Sequence, residues 1–218
     1  MERCVNALKR WLGKASSPRD SEDAPKPLTA EVVSDKSQGK STTGVSCVNA
    51  LKRWTGKTRA TVVFESTVDE FTVDGLFNKV KGKRNIAIVG FTMDGDVLGG
   101  FYTVAVTEQD KDFKDPNIFI FSFESHGRCM TPQRFVVKER VMSAYVRFFQ
   151  NNSCGFVWFG VYDEVGFCLG DERSNSYCFD TSRAFEGLED TTLTGQNNID
   201  CDYPPYHHCT RLVAIHLK

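Results

Sequence analysis

Residues 86–101, Ile-Ala-Ile-Val-Gly-Phe-Thr-Met-Asp-Gly-Asp-Val-Leu-Gly-Gly-Phe, hold two apolar runs joined at Asp94-Gly95. A tight hairpin needs positive φ at its centre and Asp-Gly supplies it, so two antiparallel strands are expected, over 86–91 and 97–106. Gly99-Gly100 could mark a ligand loop. However, no G-x-G-x-x-G pattern or strand-to-helix transition accompanies the pair, which leaves close backbone packing or a bulge as its expected role.

The same texture continues outward from the hairpin. Short apolar runs at 61–64, 118–123, 144–149, 156–159, 167–169, 177–179 and 212–217 are separated by turn residues. Many short strands at such spacing indicate a mainly β fold, a sandwich or a barrel. One stretch reads differently: Val73, Leu76, Phe77 and Val80 follow i, i+3, i+4, i+7 behind Thr72, which predicts a short N-capped helix over the sheet. Gly75 inside it weakens that helix by about 1 kcal/mol relative to Ala.

Ahead of the strands lies a duplication. Cys4-Val5-Asn6-Ala7-Leu8-Lys9-Arg10-Trp11 followed by Gly13-Lys14 recurs as Cys47 through Trp54 followed by Gly56-Lys57, and only Leu12 against Thr55 differs. Two copies are too few for a solenoid. Each reads as a short amphipathic helix stopped by its glycine, and about ten residues are marginal as an isolated helix, so each copy needs a surface to pack on. Residues 15–46 between them are rich in Ser, Thr, Pro, Gly and mixed charges and read as a linker that cannot bury enough to order itself. The expected division is therefore a helix and linker over 1–46 and a domain over 47–218, opening with a helix at 47–57. The faces built from Lys9, Arg10 and Lys14, and from Lys52, Arg53 and Lys57, could rest weakly on an anionic membrane, but docking of the second copy on the sheet edge is preferred.

At 218 residues with a formal net charge of −1, the chain has no global basic field, which argues against nucleic acid as a partner. No signal-peptide run follows Met1 and no stretch approaches a membrane span, so a cytoplasmic location with unpaired thiols is expected for the eight cysteines.

Taken in order, the segments resemble one family. Val62 through Phe71, then Leu76 through Lys83, are similar to the opening of the TLDc domain, with its strand, Ser-x-x-Asp-x-Phe turn, helix and Gly-Lys exit. Asn85 to Val89 with Asp94 through Phe101 resembles its signature hairpin. Phe119 to Phe123, Trp158-Phe159-Gly160, Gly166 to Leu169, Asn175 to Phe179 and the closing 211–217 run match later strands in the right order. The resemblance implies two antiparallel sheets packed face to face with a few peripheral helices. It also implies a non-enzymatic interaction module tied to oxidative-stress protection and to the vacuolar-type proton-pumping ATPase, peripheral to endomembranes, with no cofactor.

Several residue sets carry side chains of catalytic or metal-binding type. Ser125-His126 with an Asp, or Cys129 with His126, could seed a triad and hence a hydrolase with a site at one end of the sandwich, but no nucleophile-elbow pattern supports it. Cys201, His207, His208 and Cys209 are the best metal candidates, although no C-x-x-C pair is present and neighbouring histidines tend to diverge. Asp110, Asp112 and Asp115 lack the Gly and terminal Glu of a calcium loop, which leaves a solvated loop as the expectation. Cys168 and Cys178, on neighbouring strands, invite a redox or peroxide-handling role, against which stands the commoner buried, inert thiol. No catalytic, cofactor-binding or metal residue is assigned from sequence.

Overall fold

A computed structural model describes residues 43–141, 143–151, 155–161, 165–171, 176–195 and 206–218. Helix α1 (Thr43–Thr55) leads into β1 (Ala60–Glu65), followed by α2 (Val73–Val80), β2 (Ile86–Thr92) and β3 (Val97–Tyr102). Then come β4 (Phe113–Lys114), β5 (Phe119–Glu124), β6 (Gln133–Val136), β7 (Ala144–Phe148), β8 (Val157–Val161), β9 (Val165–Leu169), β10 (Ser176–Phe179), α3 (Thr181–Ala184), β11 (Tyr206–His207) and β12 (Cys209–Leu217).

The strands form two sheets, ordered β1-β12-β2-β3-β5-β6 and β11-β10-β9-β8-β7-β4, with antiparallel pairing throughout. The architecture is a sandwich. Ile86, Ile88, Leu98, Tyr102 and Ile120 from the first sheet meet Val146, Phe148, Phe159, Phe167 and Leu169 from the second in one buried core. Tyr102 joins the layers, its ring 6.0 Å from Phe148 and 6.4 Å from Phe159. Gly100 makes the approach possible, because a Cβ there would lie 2.6 Å from the Phe159 ring. The close-packing reading of the paired glycines therefore holds.

The hairpin forms as expected, with a refinement at its tip. Thr92 N–H donates to Asp96 O at 3.0 Å and Gly95 N–H to Thr92 O at 3.1 Å. Gly95 has φ 93° and Asp94 does not share that sign. This is a three-residue loop, a type I turn closed by a left-handed glycine, the next commonest hairpin after the two-residue turns.

Helix α2 starts where its cap predicts: the Thr72 side chain accepts Gly75 N–H at 3.0 Å, and Val73, Leu76, Phe77 and Val80 are buried. The preceding turn is held by Ser66, whose hydroxyl accepts Leu212 N–H at 3.0 Å, and by Asp69, which accepts Glu65 N–H at 2.9 Å. Gly75 behaves differently from its propensity. A Cβ on it would lie 2.2 Å from the Glu70 carbonyl oxygen. Gly75→Ala, which helix propensity alone would make stabilising by about 1 kcal/mol, is expected instead to lower stability by about 2 kcal/mol, read from the urea midpoint.

Strand β12 contributes most to cohesion. It lies between β1 and β2, so the last described segment of the chain is an interior strand of the first sheet. The sequence missed β4, β6, β11 and α3. Each is four residues or fewer, too short for a periodic signal to show.

Candidate functional site: the helix-covered face of the first sheet

Strands β2, β3 and β5 are apolar at nearly every position, so alternate side chains that leave the sandwich core also need cover. Ala87, Val89, Phe91, Val97, Phe101, Phe119, Phe121, Phe123, Val213, Ile215 and Leu217 form a second buried cluster on the outer face. Its cover is α1. Cys47, Val48, Ala50 and Leu51 are buried on that face, and Trp54 stacks on Phe123 at 5.8 Å and meets Phe119 edge-on at 6.1 Å. The helix thus docks on the sheet's face, correcting the expectation of an edge: the face carries the apolar area that a lone amphipathic helix must bury.

Its end is closed by the residues that recur in the duplication. Gly56 takes φ 69°, and Lys57 N–H donates to Lys52 O at 3.1 Å, the six-to-one bond of a left-handed helix stop. Arg134 of β6 reaches back to donate to Trp54 O at 2.6 Å while its guanidinium lies 5.7 Å from the Phe119 ring centre. Beside this junction a cleft of about 430 Å³ is lined by Trp54, Thr55, Phe101, Phe119, Arg134 and Val136, among others. An aromatic floor, an arginine and an edge strand side by side make a surface suited to a protein segment. Neither Arg134 nor the aromatic floor was singled out in the sequence; the apolar residues at both alternating positions of 119–123 were the available signal.

The triad candidates have structural work. His126 Nδ1 donates to Asp96 Oδ1 at 2.8 Å, so a base and an orienting carboxylate do meet at the hairpin end. The same oxygen also accepts Arg128 Nη2 at 2.7 Å, and Arg128 extends to the Thr192 and Leu193 carbonyls. Ser125 is fully buried, its hydroxyl accepting Cys129 N–H at 2.7 Å. The arrangement pins the 125–129 loop to the hairpin and to 192–193.

The other candidates diverge. Asp110 accepts Gln150 N–H, Asp112 pairs with Arg147 at 2.6 Å, and Asp115 is buried with no exposure at all, contrary to a solvated loop. Cys201 lies outside the described residues, His208 is exposed, and His207 and Cys209 are buried. Among the described residues no group of three or more metal-ligating side chains occurs. Cys168 and Cys178 belong to opposite faces of the second sheet, Cys168 with Trp158 and Tyr145 outside, Cys178 in the core. Burial pushes the Cys178 thiol up and the Cys209 thiol up to about 12, which keeps both protonated at neutral pH.

His207 stacks on Phe167 at 5.9 Å with both ring nitrogens buried and, among the described residues, without a hydrogen-bond partner. Burial, reinforced by His208, pushes its pKa down to about 3 from 6.5. The unfolded chain then takes up a proton below 6.5 that the folded one refuses until about 3, so stability falls as pH falls through that window. Between pH 7 and 5 the expected loss is about 2 kcal/mol. Urea midpoints across pH check it, and His207→Phe is expected to flatten the slope.

No curated protein matches the chain. The model of the TLDc domain matches residues 45–203, well over half of the chain. The match takes in the covering helix, both strands of the hairpin and the strands of the second sheet up to β10, and on that evidence the chain belongs to the TLDc domain family.

Proposed function

We propose that this chain is a non-catalytic protein-binding module that associates with subunits of the vacuolar-type proton-pumping ATPase and contributes to protection against oxidative stress. The observation that carries the binding reading is the helix-covered aromatic face with the Trp54–Arg134 cleft beside it. The pump and the oxidative setting rest on family membership. In this reading residues 47–218 act as one domain, 1–46 as a tail of short helix and linker, and the protein works in the cytoplasm beside endomembranes. No helix among the described residues is long and apolar enough to cross a membrane.

Recovery of the tagged full chain from its own lysate, under conditions that preserve the pump, is expected to enrich pump subunits by about tenfold or more over a tag-only control, a margin that micromolar binding provides. Recovery at the control level counts against the assignment. The Asp96–His126 pair favours one second reading, a hydrolase acting at the hairpin end of the sandwich. Turnover of simple esters or amides that His126→Ala abolishes would establish it, and a silent broad screen removes it. A thiol peroxidase is opposed by the buried, protonated Cys178 and Cys209.

A further inference from the structure

The five residues through which α1 grips the sheet, Cys47, Val48, Ala50, Leu51 and Trp54, recur in the same spacing as Cys4, Val5, Ala7, Leu8 and Trp11. The stop recurs too, with Gly13-Lys14 matching the Gly56-Lys57 pair that closes α1. The single difference falls where Thr55 lines the cleft, and Leu12 would add apolar area there. Each of these five contact residues, and the stop behind them, is therefore present a second time in the same chain.

We propose that residues 4–14 are a reserve cover for the first sheet, able to take the place of α1 on the outer face of their own domain. This inference stands apart from the pump reading. With equal contacts, the choice between copies is set by tethering. Docking α1 leaves a connection of four residues, 56–59, to β1, whereas docking the twin leaves 47, 13–59. Loop closure then disfavours the twin by a factor on the order of fortyfold. The twin is a minority occupant in the resting protein. Any event that weakens α1 by more than that factor, such as a partner drawing it off the sheet, hands the face to residues 4–14 and keeps the apolar surface covered.

Hydrogen exchange read by mass spectrometry separates the two copies, because Leu12 and Thr55 give their peptides different masses. In the full wild-type chain, amides of 47–57 are expected to be protected and those of 4–14 to exchange freely, and Leu8→Asp is expected to be silent. In Leu51→Asp, protection should move: peptide 4–14 slows by about tenfold or more, 47–57 speeds up, and at monomer mass the urea midpoint falls by no more than the roughly fortyfold tethering factor requires. The Leu8→Asp/Leu51→Asp chain should lose protection in both and fall in midpoint, a strong non-additivity. If Leu51→Asp does not fold, Leu51→Ala with and without Leu8→Ala gives the same comparison. The proposal is overturned if 4–14 stays unprotected and the single variants are as destabilised as the doubles. It is equally overturned if 4–14 is protected only in a species of dimer mass, since a second copy would then be the occupant.

Discussion

Replacing Arg211 by alanine is expected to cost about 3–5 kcal/mol of folding stability, the range for stranding one member of a buried ion pair. Arg211 lies on β12 and forks onto Glu65 of β1, its Nε 2.7 Å from Oε1 and its Nη2 on Oε2. Its guanidinium also lies 4.9 Å from the Phe91 ring centre on β2, so one side chain ties the three strands together. Glu65 is only 8% exposed, and without Arg211 its charge would keep, among the described residues, the Thr67 backbone N–H and hydroxyl as side-chain partners. The comparison that isolates the mechanism is Glu65→Leu/Arg211→Met, which removes both charges and is expected to recover most of the loss. Urea denaturation of the three variants measures it. A loss under 1 kcal/mol for Arg211→Ala would mean that the pair behaves as a surface contact.

Asp115→Ala is expected to cost a similar amount, about 3 kcal/mol or more, because it leaves three donors without an acceptor. The fully buried carboxylate accepts Thr103 N–H, the Thr103 hydroxyl at 2.8 Å and Asn117 N–H at 3.0 Å. Its own N–H donates to Ala144 O at 2.9 Å. Thr103 follows β3 in the first sheet and Ala144 begins β7 in the second, so Asp115 fastens the two layers at one edge. Asp115→Asn, which keeps the shape and one acceptor oxygen, is expected to lose less than half as much. Calcium is expected to leave the melting temperature unchanged, since Asp110, Asp112 and Asp115 serve separate partners.

The strand pattern was readable because each long strand carries its own evidence, as in 86–91 and 97–102, where an apolar run meets a turn residue that fixes direction. The Thr72 cap and the Val73-Leu76-Phe77-Val80 spacing were equally local. Gly75 shows where such reading stops. Its helix cost is a property of the chain, whereas its clash with the Glu70 carbonyl is a property of the folded turn. Asp115 is similar: a third acidic residue in a polar stretch looks solvated until the second sheet closes over it. Little of the candidate site was legible. The sequence held Trp54 and its twin, but the partners of Trp54 lie about 65–80 residues further on, at Phe119, Phe121, Phe123 and Arg134.

By itself the sequence determined the class of fold, the hairpin, the capped helix and the existence of two nearly identical amphipathic segments, because hydrophobic period and turn chemistry act over a few residues. Only the tertiary structure decided which surface the second of those segments covers. It also decided that His126 and Asp96 meet beside Arg128, and that Cys168 and Cys178 turn away from each other across a sheet. Those outcomes depend on strand order and register, and a shift of one residue in register reverses the face every side chain presents.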